Sequence, residues 1–116
     1  MARYENGYRI ERDANLRGAD LMGADLTRAV LKRANLTKAN LTLANLSEAK
    51  LTRAVLREAN LSDANFFHAD LSFANLRGAN LRGAFLTSTD LDGAVYDEDT
   101  KWPEGFNPDK AGAKKV

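Results

Sequence analysis

The chain has 116 residues and no cysteine, and its 17 lysines and arginines stand against 16 aspartates and glutamates, a net charge of +1. That length fits one domain, the missing thiols exclude a disulfide framework, thiolate ligands and a cysteine nucleophile, and near neutrality argues against a strong single-sign field. No run approaches the roughly 18 apolar residues of a membrane helix, and Met1-Ala2-Arg3-Tyr4-Glu5 lacks the apolar stretch of a secretory signal, so a soluble, cytoplasmic protein is expected.

Residues 1–13 carry three charges of each sign and lie outside any repeat. Tyr4, Tyr8 and Ile10 are large apolar groups here that fall outside the register. They are expected to cap whatever follows.

From residue 14 one phrase takes over. Alanine recurs every fifth residue from Ala14 to Ala94, broken only at Thr89. Leucine follows two places later from Leu16 to Leu91, with Phe66 as the single exception. Asn or Asp stands between them in most units, departing at Val30, Lys50, Val55, Phe85 and Val95. The phrase A-(N/D)-L-x-x thus fills residues 14–98 in seventeen units, with ten charges of each sign.

Helix propensity is high, but the period forbids a helix. At about 100° per residue, five residues advance about 500°, so successive leucines would scatter around the cylinder. A flat strand fails as well, because an odd repeat sends Leu16 and Leu21 to opposite faces. A short extended piece followed by a bend satisfies the pattern. Alanine and leucine, two apart, then point one way and the residue between them the other. The last two positions of each unit are mostly polar or glycine, as in Arg17-Gly18 and Ser47-Glu48. They supply the bend. Repeated in one sense, this coils the chain into a solenoid with leucine and alanine along its axis.

The phrases A-D-L-M-G, A-N-L-T-K, A-N-L-S-E and A-N-F-F-H closely resemble the pentapeptide repeat proteins. The resemblance covers residues 14–98 and implies an all-β fold, a right-handed quadrilateral β-helix with four pentapeptides per coil. Seventeen units then give about four coils and one further side, a stack of roughly 20 Å. Residues 20 apart should form columns. Arg28 lies below Glu48, Lys38 below Glu58 and Lys50 below Asp70, whereas Arg33 with Arg53 and Arg57 with Arg77 repel.

After Tyr96 the phrase stops. Pro103 and Pro108 oppose further laddering, and Tyr96, Trp102 and Phe106 are expected to form a lid. The string Y-D-E-D-T-K-W-P-E-G-F-N-P looks like the ending of many cyanobacterial members of that family. Residues 99–116 read as a C-terminal cap, with 109–116 as a loose, solvated tail bearing Lys110, Lys114 and Lys115.

Recognition falls to outward residues that depart from the phrase. Phe67 and Phe85 should share one side, one coil apart, with Phe73 near the adjoining edge, a candidate protein-interaction patch unless the C-terminal segment covers it. Candidate basic columns are Arg17, Arg57 and Arg77, with Thr37 between, and Arg33 with Arg53. Interspersed acids and a pI near 8.0 make them solvated charge rather than a nucleic-acid surface. His68 has no second histidine or cysteine to share a zinc ion with. No nucleophile–base pair or phosphate-cradling motif is present, so no catalytic residue, metal or cofactor is expected.

The leading reading is a non-enzymatic scaffold that binds another protein, present as a monomer. Some relatives imitate DNA and bind gyrase, the alternative function. That requires a long acidic rod, and about 20 Å matches only some six base pairs at about 3.4 Å each. An enzyme is the third and weakest reading.

Overall fold

The computed structural model describes all 116 residues. Asn15 bridges Asn35 in parallel, Asp20 bridges Asn40, and this 20-residue register runs without a slip to Asn75 and Val95. Four units therefore make one coil, and each unit makes one side. The leucine N–H of a unit donates to the coil above, as Leu16 does to the Asn35 carbonyl at 2.7 Å. The Asn35 N–H answers to the Ala14 carbonyl at 2.9 Å.

Each side ends in a tight turn closed by the next alanine, for example Ala19 N–H to the Leu16 carbonyl at 3.0 Å. The third residue of the turn is left-handed at every corner up to Gly93, and the pattern ends in the last unit, where the turn shifts to Asp97–Thr100. From Asp13 to Gly93, every fifth residue has φ between 57° and 73°. That is the type II pattern, which favours glycine at this position. Twelve of the seventeen positions nevertheless hold other residues, including Leu43, His68 and Phe73. The ladder above and below over-determines a conformation that costs each of them roughly 1 kcal/mol.

The Asn/Asp site has a structural reason. Wherever the repeat carries Asn or Asp, its Oδ1 accepts the backbone N–H two residues on, from Asn15 to Arg17 through Asp90 to Asp92. These Asx turns satisfy a donor the ladder cannot reach. A following Thr or Ser adds its hydroxyl to the same oxygen, as Thr37 does at 2.6 Å. Val30, Lys50, Val55, Phe85 and Val95 forgo this bond.

Leucine and alanine fill the axis. The central residues from Leu16 to Leu91 are buried to 3 % exposure or less, with one exception, Leu86. Phe66 is fully enclosed. Thr89, the break in the alanine column, donates its hydroxyl to the Phe66 carbonyl at 2.7 Å.

The N-terminal end is closed by a hairpin of β1 (Arg3–Glu5) and β2 (Tyr8–Ile10), antiparallel, with Glu5 opposite Tyr8. Asn6 and Gly7 turn it, at φ 52° and 84°. Two successive left-handed residues are the hairpin turn that Asn-Gly supplies. Ile10 is buried, and the Tyr8 hydroxyl accepts the Asp20 N–H at 3.2 Å. Tyr4 does not cap: strand alternation places it opposite to its neighbours and leaves it 58 % exposed.

At the other end β3 (Val95–Tyr96) pairs in parallel with β4 (Lys114–Lys115). The expectation of a loose tail over 109–116 is thereby corrected. Gly93 N–H donates to the Gly112 carbonyl at 3.0 Å, Lys114 N–H to that of Ala94 at 2.7 Å, and Val116 N–H to that of Tyr96 at 2.9 Å. Ala113 is buried and continues the alanine column. The tail is held because the top coil leaves a ladder edge that it can satisfy. With both caps the molecule measures 38 × 22 × 22 Å.

Candidate interaction surface

Phe67 and Phe85 lie on one side of the coil, one layer apart, as their numbering predicts. Their rings stack at 5.9 Å between centroids and 15° between planes, and they remain 38 % and 49 % exposed. His68 meets the Phe67 ring edge-on at 4.2 Å. Below them the same side bears Asp25, Thr27 and Arg28, then Asn45, Ser47 and Glu48. The side thus grades from charged and polar at its base to aromatic at its top.

Phe73 does not join this pair. It is the left-handed residue of its unit and sits at a corner, one full side away. No ring contact links it to Phe67 or Phe85. The Arg53 guanidinium, from the coil below, packs on the face of its ring 4.9 Å from the centroid, and the ring lies against Gly93 one coil above. A Cβ at Gly93 would come within 2.5 Å of that ring. The expected three-residue patch is therefore a stacked pair plus a separate cation–π contact. The C-terminal segment leaves the pair uncovered. It folds across the axis instead, where Tyr96 meets Trp102 edge-on at 5.4 Å and Trp102 stacks on Phe106 at 5.3 Å. The Trp102 indole N–H is buried there without a partner.

The basic columns do not form a continuous positive face. Arg33 makes two bonds to the Asp13 carboxylate one coil below, at 2.8 and 3.1 Å. Those bonds hold the Asp13 carboxyl below its ordinary value. Arg53, the other member, is engaged by Phe73. Arg17, Arg57 and Arg77 share a column with Thr37, and Asp97 tops it. Arg57 and Arg77 line a polar cleft of about 310 Å³ with Glu58, Asp97 and Asp99. Of the expected column pairs, Arg28 and Glu48 alone approach within an ion-pair distance, 3.9 Å. Lys50 is not paired with Asp70, whose carboxylate is taken by Ser72 and Thr52 at 2.6 and 3.1 Å. Partial burial would raise Asp70, but these bonds outweigh it and hold the group low.

The edges of the stack are treated unequally. At the base, the Arg3 guanidinium donates to the carbonyls of Thr27 and Asp25 at 2.7 and 2.8 Å, groups with no coil beneath them. At the top, Leu81 N–H reaches the Lys101 carbonyl and Gly93 N–H reaches that of Gly112. Between them the N–H groups of Gly83, Leu86, Ser88 and Leu91 and the carbonyls of Ala84 and Thr89 have no protein partner. A cleft of about 360 Å³ opens there, lined among others by Leu86, Pro103, Glu104 and Phe106. Sequence reasoning missed this gap. No three His, Cys, Asp or Glu side chains converge on a point that could hold a metal ion. No helix is long and apolar enough to cross a membrane.

The family signature described as pentapeptide repeats matches in 8 copies, over residues 12–47, 44–83 and 69–95. Among solved structures, the pentapeptide repeat protein alr5209 from Nostoc PCC 7120 is 38 % identical. That match covers 88 % of this chain and 84 % of that one, with a TM-score of 0.87. HetL from Nostoc sp. strain PCC 7120, a pentapeptide repeat protein involved in heterocyst differentiation regulation, is 30 % identical over 87 % of this chain and 59 % of its own, with a TM-score of 0.43. Rfr23 from Cyanothece 51142 is 34 % identical over 79 % and 90 %, with a TM-score of 0.35. No curated protein matches. The 20-residue register, the left-handed fifth position, the signature and the alr5209 likeness agree: the chain belongs to the pentapeptide repeat family and is a right-handed quadrilateral β-helix.

Proposed function

We propose that this protein is a non-enzymatic scaffold that binds another protein through the upper part of the side bearing Phe67 and Phe85, and that it acts as a cytoplasmic monomer. The stacked, solvent-facing pair carries the reading. Aromatic residues held rigidly at the surface offer contact area at low entropic cost. Phe85 strengthens the case, since it replaces an Asn that would have satisfied the Thr87 N–H. A side chain that forgoes a structural bond and faces solvent suits a role outside the fold. The neutral body and the closed columns at Asp13–Arg33 and Arg53–Phe73 favour a protein partner over nucleic acid, and they disfavour DNA mimicry.

The test is affinity capture from the native cell, with mass spectrometry, comparing the protein with Phe67→Ser/Phe85→Asn. These replacements make both units more like the repeat: Ser at 67 can bond Asn65 as Ser62 bonds Asn60, and Asn at 85 can accept the Thr87 N–H. Loss of a captured partner with folding intact supports the reading. Equal capture by the variant refutes it. Sedimentation as a dimer at micromolar concentration would contradict the monomer.

A further inference from the structure

The gap in the top ladder has a cause that can be counted. From Asn80 to Val95 the coil takes fifteen residues, but their partners, Lys101 and Lys114, are separated by thirteen. The chain above is two residues too short to follow the perimeter. It cuts inward instead, through a turn in which Phe106 N–H donates to the Pro103 carbonyl at 3.1 Å. Pro103 has no N–H to offer the ladder. The side 84–88 is left as a short uncovered edge, and for that reason Leu86 is the one central leucine not fully buried.

The unpaired groups have a definite pattern. In every complete unit, one residue of the upper coil bonds both an alanine carbonyl and a leucine N–H below it, and the residue two places on accepts the turn N–H. Asn35 and Thr37 do this for Ala14, Leu16 and Gly18. On side 84–88 the Ala84 carbonyl and the Leu86 and Ser88 N–H groups present the same arrangement with nothing above. The Phe85 N–H and carbonyl are already used by the coil below.

We infer that this edge receives an extended segment of a partner protein, added in parallel as one more side of the β-helix. This rests on the proposed protein-binding role and specifies the partner. One residue of the segment answers both Ala84 and Leu86, and its side chain points outward above Phe85. An aromatic residue there extends the Phe67–Phe85 stack. The next residue points inward over Leu86 and Phe106, where a large aliphatic group fits the cleft. Glu104 is the one charged residue lining the cleft and has no ion pair, which favours lysine or arginine flanking the segment. Backbone bonds supply attachment and the alternate side chains supply selectivity, the mode of strand addition.

The test uses a defined probe on the intact chain. A peptide with the sequence of residues 83–88, flanked at each end by lysine and blocked at both termini, carries the required small–aromatic–leucine order. Binding is followed by amide NMR shifts and hydrogen exchange. With peptide, the Leu86 and Ser88 amides should shift and exchange more slowly, while those of Leu26 and Arg28 at the base of the same side stay unchanged. N-methylation of the peptide phenylalanine, which removes the N–H for Ala84, should weaken binding about tenfold or more, roughly 1.4 kcal/mol. A glutamate-flanked peptide should bind more weakly, and Glu104→Gln should reduce that difference. No binding at millimolar peptide, equal binding of the N-methylated peptide, or shifts confined elsewhere would overturn the inference. Concentration-dependent protection of Leu86 and Ser88 without peptide would place a second copy there instead and likewise overturn it. If Phe67→Ser/Phe85→Asn abolishes partner capture while the peptide fails, the scaffold reading stands and the added strand falls. If the peptide binds but capture does not depend on the two phenylalanines, the reverse holds.

Discussion

The base and the top of the stack face the same problem, a row of backbone groups with no next coil, and resolve it differently. At the base a separate hairpin swings under the edge, and its side chains substitute for a strand: Arg3 donates to Asp25 and Thr27, Asn6 to Asp20 and Met22, and Tyr8 accepts from Asp20. At the top the chain attempts another coil, succeeds above Asn80, Gly93 and Val95, and falls two residues short between them. A solenoid must be capped to stay soluble. On the proposed reading, the edge left open on one side, beside exposed aromatic rings, is where the capping rule yields to recognition.

The largest expected effect separates the closed middle from the open top. Leu56→Ala, at a fully buried position, should cost about 3 kcal/mol in denaturant unfolding, whereas Leu86→Ala should cost about 1 kcal/mol. Similar losses at both sites would mean that the top is packed as tightly as the middle. Next come the turn glycines. Gly93→Ala strains a left-handed residue and drives its Cβ into the Phe73 ring, for an expected loss of about 2–3 kcal/mol. Gly18→Ala meets open space and should cost about 1 kcal/mol through backbone strain alone. Thermal melts of both variants check the difference.

The caps give a smaller contrast. Arg3→Met removes two charge-assisted bonds to the basal edge and should lower stability by about 1–2 kcal/mol. Glu104→Gln at the open end should change it by less than about 0.5 kcal/mol. The smallest effect is on pH. The Asp70 carboxyl, held below its ordinary 3.8 by Ser72 and Thr52, contributes stability that is present above that value and lost as pH falls through the lower folded-state value. Asp70→Asn keeps the Oδ1 acceptor but cannot titrate. Its stability should fall less steeply between pH 5 and 2, in the acid range about the ordinary carboxylate value. An unchanged acid limb would assign that loss to Asp13, Asp25 and Asp97, which are also held low.

The repeat was legible because a period of five with alanine and leucine two apart permits few backbones. The columns followed from it, and with them the pairing of Phe67 and Phe85. The work of the Asn/Asp site was not visible in the pattern. An outward polar residue reads as solvated until the turn N–H it accepts is placed two residues away. Asn6-Gly7 between Tyr4 and Tyr8 is a hairpin signal that the sequence does carry, independent of the apolar caps. Phe73 was misplaced by one corner: it stands at the fifth position of its unit, where the chain turns. The ordered tail was hidden for a different reason. Ala111-Gly112-Ala113 is too short a fragment of the phrase to announce another layer, and a two-residue shortfall in the top coil emerges only once partners on both sides of it are known. That shortfall is also what exposes the edge.

The uncovered edge is tested most directly by residue-resolved amide hydrogen exchange on the free, full-length chain. The Phe66 and His68 N–H groups, bonded to the Phe85 and Thr87 carbonyls, sit one layer below Leu86 and Ser88. Leu86 and Ser88 should exchange faster than this pair by about a hundredfold or more, since they open to solvent without breaking a ladder bond. Equal protection at all four amides would mean that side 84–88 is already covered, and the account of an open edge would be wrong.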